Sequence, residues 1–164
     1  MEIQLVLGPN GSGKSIYAEE LAVKSGGSRV YLATMVPQTP ENKQRIEKHR
    51  IQRQDKGFMT IEKDWKIQEI PVNGETVVLL EDVSNLLSNG IFMHGADAKQ
   101  TLEEILELAG RCKKVIAVSI SGLSKEGYEE ETRYYIEQLN WLNHRLKECA
   151  SETVVMKNGT AESI

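Results

Sequence analysis

Eight residues at positions 8–15, "GPNGSGKS", are of the types and in the order that hold a nucleotide's phosphates. Gly8, Gly13, Lys14 and Ser15 satisfy G-x-x-x-x-G-K-[ST], with Pro9, Asn10, Gly11 and Ser12 between them. Glycines reach backbone angles that turn successive N–H groups inward, and a helix beginning at the lysine adds its positive end. Anionic oxygens are then held largely by backbone. Lys14 would reach the β- and γ-phosphates, and the Ser15 hydroxyl would serve Mg²⁺, a cation that takes oxygen ligands and keeps several waters.

Two other groups of residues carry potential chemistry. Glu81 and Asp82 end the apolar run "TVVLLED", where a carboxylate from a neighbouring strand would complete a phosphate site. In "QRIEKHRIQR" (44–53), Arg45, His49 and Arg53 stand at i, i+4 and i+8 and so share one face of a helix. Two guanidiniums beside an imidazole would gather phosphate oxygens and keep the ring neutral, as a nucleophile must be. The same spacing also describes a basic, solvated helix face. His94 and His144 have no comparable setting and read as surface or packing residues.

These residues need a frame. Continuous apolar runs, the mark of strands covered on both faces, occur at 3–7, 29–34, 76–80, 114–119 and 152–156. Between them, 14–24, 41–53, 97–111 and 127–149 are helical in composition, and Tyr135, Leu139, Leu142 and Leu146 recur at helical spacing in the last. Strand and helix alternate, which predicts an α/β fold of the P-loop NTPase type: a mostly parallel central sheet with helices on both faces. "TMVPQTPEN" (34–42) and "SGLSKEGYEE" (121–130) read as surface connections at the carboxyl ends of strands, where such sheets bind ligands. No repeat, low-complexity tract or linker divides the 164 residues, so one domain over 1–164 is expected.

Composition narrows the partners. A net charge of −4, with basic residues spread along the chain, speaks against a surface built for nucleic acid or anionic lipid. No apolar run approaches the ~20 residues of a spanning helix and no leader is apparent, so a cytoplasmic protein acting on a small molecule is expected, with no membrane partner. Cys112 and Cys149 lie far apart without a C-x-x-C pattern and read as reduced packing residues.

In order along the chain, "GPNGSGKS", "RVYLAT", "RIEKHRIQR", "TIEKDW", "VVLLEDVSNLLSN" and "LNWLNHRL" resemble the bifunctional adenosylcobinamide kinase/adenosylcobinamide-phosphate guanylyltransferase family of cobalamin biosynthesis. The phosphate loop is common to many families. R-I-x-x-H-x-x-x-R soon after a Y-[IL]-A-T strand is far more particular to this one.

The resemblance implies that His49 attacks the α-phosphate of GTP, releases pyrophosphate and carries GMP as a phosphoramidate, with Lys14 as the other catalytic residue. GMP then passes to adenosylcobinamide phosphate, giving adenosylcobinamide-GDP. It further implies nucleotide contacts from residues 8–15, from Ala33, Thr34 and Met35, from Arg50, Ile51, Gln52 and Arg53, and from Glu62 and Glu81. GTP with Mg²⁺ is the expected cofactor set, ATP being an alternative for the kinase step, and the family's assembly is a homotrimer. An ionised carboxylate offers only acceptors, matching the adjacent N1–H and N2–H₂ donors of guanine, so Glu81 is either a base reader or a metal-side carboxylate.

The chain also departs from the family pattern. After the fifth apolar run, where the family has Asn-Glu-Val-Gly and then a Pro-Glu-Asn stretch, this sequence has "SISGLSKEGYEEETR", keeping Gly122 and Arg133. "VVMKNGTAESI" replaces the family's apolar ending. Glu126 and Glu129 to Glu131 read as a solvated acidic run. Two alternatives therefore stand beside the first reading: a small-molecule kinase without histidine chemistry, and a catalytically weakened GTP-binding subunit.

Overall fold

The apolar runs become the middle of a seven-stranded sheet. The computed structural model describes residues 1–36 and 39–164; Pro37 and Gln38, part of the connection expected at 34–42, lie outside the described residues. In chain order the elements are β1 (Ile3–Gly8), α1 (Lys14–Lys24), β2 (Ser28–Ala33), α2 (Pro40–Gln52), β3 (Phe58–Glu62), a 3₁₀ turn (Ile67–Glu69), β4 (Thr76–Glu81), α3 (Val83–His94), α4 (Ala98–Ala109), β5 (Lys114–Ile120), α5 (Glu130–Cys149), β6 (Glu152–Lys157) and β7 (Thr160–Ser163). The strands lie in the order β3-β2-β4-β5-β1-β6-β7, all parallel to their neighbours except β7, which turns back antiparallel on β6.

Alternation along β4 shows how the layers form. Val78 and Leu80 join the cluster beneath α3, α4 and α5, while Val77 and Leu79 join Ala18 and Ala22 of α1 on the other face. All four are fully buried. At about 1.5–3 kcal/mol for each fully buried Val or Leu side chain, this strand is one of the strongest fixed points of the sheet. Its carboxyl end carries Glu81.

Beside the short 3₁₀ turn, β3, α3 and β7 escaped the sequence reading, β7 because its four residues are all exposed and form no apolar run. β3 is an edge strand whose residues are exposed or half-buried, so it has no continuous apolar run. Within α3, Ser84, Asn85, Ser88, Asn89 and Gly90 are weak helix formers, and the helix is held instead by burial of Val83, Leu86 and Leu87. Gly90 packs closely there, since a Cβ would stand 3.3 Å from that of Ala96 and would need it to shift by a few tenths of an ångström. The long final helix begins at Glu130, leaving 121–129 as the exposed connection.

Cys112 is buried, Cys149 half-buried, and both are free. Among the described residues no helix is long and apolar enough to cross a membrane.

Candidate active site

The loop after β1 and the carboxyl ends of β4 and β5 face a cleft of about 550 Å³, and α1 begins at its floor. Asn10 to Ser15, Arg45, Lys48, His49, Gln52, Glu81 and Asp82 line it. Gly8, Gly11 and Gly13 all have positive φ, at 155°, 74° and 95°. At Gly8 the requirement is also steric: a Cβ would lie 2.6 Å from Ser12 Oγ and 2.9 Å from the Met156 carbonyl. The β6–β7 turn supports the loop from behind, with Gly159 N–H donating to Ser12 O at 2.9 Å.

Lys14 folds back along the loop and donates from Nζ to the Pro9 carbonyl at 2.8 Å. Burial pushes its ammonium pKa down, opposed by the nearby Asp82 and Glu81 carboxylates. Pro9 itself is exposed, so its contribution is that carbonyl.

The adjacent acids have separate tasks. Glu81 Oε1 accepts a hydrogen bond from Ser15 Oγ at 2.7 Å, tying β4 to the first turn of α1. Asp82 caps α3, its Oδ1 accepting from Asn85 N–H at 2.7 Å. Burial and the Asp82 charge push the Glu81 carboxyl up to about 8, and burial raises Asp82 as well. Thr34, fully buried, braces the pair rather than lining the cleft: Oγ1 lies 3.1 Å and 2.9 Å from the Glu81 and Asp82 carbonyls and accepts from Asp82 N–H at 2.9 Å. Asn89 donates to the Thr34 and Asp64 carbonyls, holding the ends of β2 and β3 together.

The basic helix face is real, and it points into the site. Arg45, His49 and Arg53 line a side pocket with Tyr31, Ala33, Met35, Thr60, Glu62, Glu81 and Asp82. Burial lowers the His49 pKa, and the charges of Arg45, Arg53 and Lys48 lower it further, so the neutral ring is favoured. The Arg53 guanidinium sits 3.6 Å over the Tyr31 ring and donates to Thr60 Oγ1 at 3.1 Å. Since α2 buries none of its own residues, it depends on such side-chain attachments. Glu19 of α1, 1% exposed, supplies two: it accepts from Gln52 at the end of α2, and from Lys56 just beyond at 3.2 Å.

The expected residues therefore divide. Asn10, Gly11, Ser12, Gly13, Lys14, Ser15, Ala33, Met35, His49, Gln52, Arg53, Glu62 and Glu81 line the two adjoining pockets. Arg50 and Ile51 are exposed and line neither pocket, and Arg50 pairs with Glu47 at 3.6 Å. Tyr31, Thr34's bracing role and Glu19 had no spacing signal, because each acts across elements distant in sequence. His94 stacks on Trp65 at 4.0 Å, outside the site.

The donor set also suits a hard cation. Ser15, Glu81 and Asp82 offer only oxygen. Among the described residues no cluster of three or more His, Cys, Asp or Glu is present.

A phosphate loop between β1 and α1, with an acid at the end of β4 in a parallel sheet, defines a nucleotide-binding α/β protein of the P-loop class. The chain is similar in fold to the ATPase domain of G40P, with a TM-score of 0.53 at 10% identity over 94% of this chain and 68% of that one. No curated protein matches it. The family model of cobinamide kinase/cobinamide phosphate guanyltransferase matches residues 4–164, and the chain belongs to that family of cobalamin-biosynthetic transferases.

Proposed function

We propose that this chain works as a single nucleotide-binding transferase domain that phosphorylates adenosylcobinamide and then transfers GMP from GTP to the resulting phosphate through guanylylated His49. The observation supporting the histidine step is that His49 shares the cleft of the phosphate loop, between two arginines that favour its neutral form.

The loop N–H groups and Lys14 bind the β- and γ-phosphates, leaving the α-phosphorus to be met by α2. Arg45 and Arg53 draw charge from its oxygens. The neutral ring of His49 attacks, a P–N bond forms, the bond to the bridging oxygen breaks, and pyrophosphate leaves. An oxygen of adenosylcobinamide phosphate then attacks the same phosphorus, the P–N bond breaks, and the neutral ring returns with adenosylcobinamide-GDP formed. Ser15 and Glu81 would hold Mg²⁺, which when bound neutralises phosphate charge.

Because Glu81 is engaged with Ser15, it falls on the metal side, and Glu62 is the acid left to read guanine N1–H and N2–H₂. GTP is thus the guanylyl donor, with ATP or GTP serving the kinase step. A homotrimer in the cytoplasm completes the reading.

Intact-protein mass after incubation with GTP and Mg²⁺, beside a His49→Ala variant, tests it. The expected result is a gain of one GMP in the wild type alone, labile to acid and stable to base. No gain with GTP binding intact overturns the guanylyl step and leaves a plain kinase or a binding subunit.

A further inference from the structure

The His49 ring has two nitrogens, and either could bond to phosphorus. The sheet bears on that choice. Tyr31, in the middle of β2 and 3% exposed, places its hydroxyl 3.2 Å from His49 Nδ1. Its position is fixed by backbone register, opposite Thr60 of β3 and Leu79 of β4. The ring is gripped as well, with Arg53 over its face and the edge-on ring of Phe58 at 6.2 Å.

We propose that Tyr31 is the positioning residue of the guanylyl transfer: its hydroxyl engages His49 Nδ1, so that Nε2 carries the lone pair and forms the bond to phosphorus. This rests on the guanylyltransferase reading above. A neutral imidazole has one N–H and one lone pair, and the nitrogen held by a neighbour decides which is where. For Nε2 to attack, Nδ1 must keep its proton, and the phenol oxygen is the acceptor within reach. As the Nε2–P bond forms and pyrophosphate departs with the electron pair of the broken P–O bond, positive charge appears on the ring. The Nδ1 proton stays on nitrogen, and the Tyr31 oxygen stabilises it there. Burial raises the phenol's own pKa, so it remains a neutral partner through this step.

The attachment matters because α2 buries no residue of its own. Without the hydroxyl the imidazole is free to turn about its side-chain bonds, while the helix stays tied through Glu19 to Gln52 and Lys56. Tyr31→Phe removes the oxygen alone and keeps the ring under Arg53.

The test has two independent readouts. With ¹⁵N-histidine-labelled wild type and GTP, long-range ¹H–¹⁵N correlation of the adduct identifies the attached nitrogen, and Nε2 is expected. Single-turnover adduct formation at saturating GTP should fall about 10- to 100-fold in Tyr31→Phe, the scale of loss from a misplaced reacting group. GTP affinity should hold, since the phosphate loop is untouched. Attachment at Nδ1, or an undiminished rate in Tyr31→Phe, overturns this inference and leaves guanylylation standing. A wild type that forms no adduct overturns both.

Discussion

Ser15 Oγ donates to Glu81 Oε1 at 2.7 Å, joining the first turn of α1 to the carboxyl end of β4. Two residues separated by 66 positions in the chain thus meet where a phosphate-bound cation would need oxygen ligands, and neither can move without disturbing the other's element.

That contact leads to a prediction about stability. The Glu81 carboxyl is pushed up to about 8 in the folded protein, mainly by burial and then by Asp82. Below its ordinary range near pH 4.5 it is protonated in both folded and unfolded chains. Between there and about 8 the folded state holds the extra proton, so its contribution to stability declines as pH rises through that window. Glu81→Gln keeps an acceptor for Ser15 without the charge. In the absence of nucleotide and Mg²⁺, its advantage in Tm should be small at pH 5 and grow to at least about 2–4 °C by pH 8.5, which corresponds to about 1 kcal/mol at this size. A thermal-shift series across pH checks it; a constant difference would contradict it.

The phosphate-loop glycines should differ among themselves. Gly8→Ala adds a Cβ 2.6 Å from Ser12 Oγ and 2.9 Å from the Met156 carbonyl, whereas Gly11→Ala meets nothing within 4 Å. Both have positive φ, so Gly11→Ala should cost about 1–2 kcal/mol from backbone strain alone. Gly8→Ala should cost clearly more and displace the loop against β6. Urea unfolding of the two variants provides the comparison, and equal losses would mean that the loop relaxes around Gly8.

What was legible beforehand follows from range. The phosphate loop and the inner strands could be read because their signals are local: a spacing of eight residues, or an unbroken apolar run. β3 could not, since an edge strand needs no such run, and α3 could not, since burial overrides its serines, asparagines and glycine. On α2 the helix period itself separates the expected contacts. At about 100° per residue, Arg53 lies some 40° from His49 and Gln52 some 60°, while Arg50 and Ile51 turn about 100° and 160° away. The carboxylate of Glu19 meets α2 only in three dimensions, and although Tyr31 opens the Y-[IL]-A-T motif, nothing in that segment announces the contact of its hydroxyl with His49.

The arginines on α2 should therefore separate by function. Arg53 is 8% exposed, stacks on Tyr31 and reaches Thr60, and its fork borders the side pocket. Lysine cannot reproduce a planar stacked donor, so Arg53→Lys should slow adduct formation about tenfold or more. Arg50, exposed and paired with its helix neighbour Glu47, should tolerate Arg50→Ala within about twofold. Single-turnover assays with GTP check both, and a larger loss at Arg50 would show that α2 rotates when nucleotide binds.

Burial comes first among the effects that lower the His49 pKa, followed by Arg45, Arg53 and Lys48, while the facing Tyr31 remains uncharged. An imidazole titrating below its ordinary value near 6.5 is already mostly neutral at pH 7, so the attacking form needs no base to create it. ¹H–¹⁵N NMR titration of the nucleotide-free protein should place His49 below the ordinary imidazole value near 6.5. Arg45→Gln removes the larger of the two arginine effects without touching the core, because Arg45 is itself exposed. It should raise the His49 value toward 6.5 and carry the acid limb of adduct formation to higher pH by the same amount. A His49 that titrates above 6.5, or an acid limb that stays put when Arg45 is replaced, would mean that the guanidiniums face solvent and not the ring.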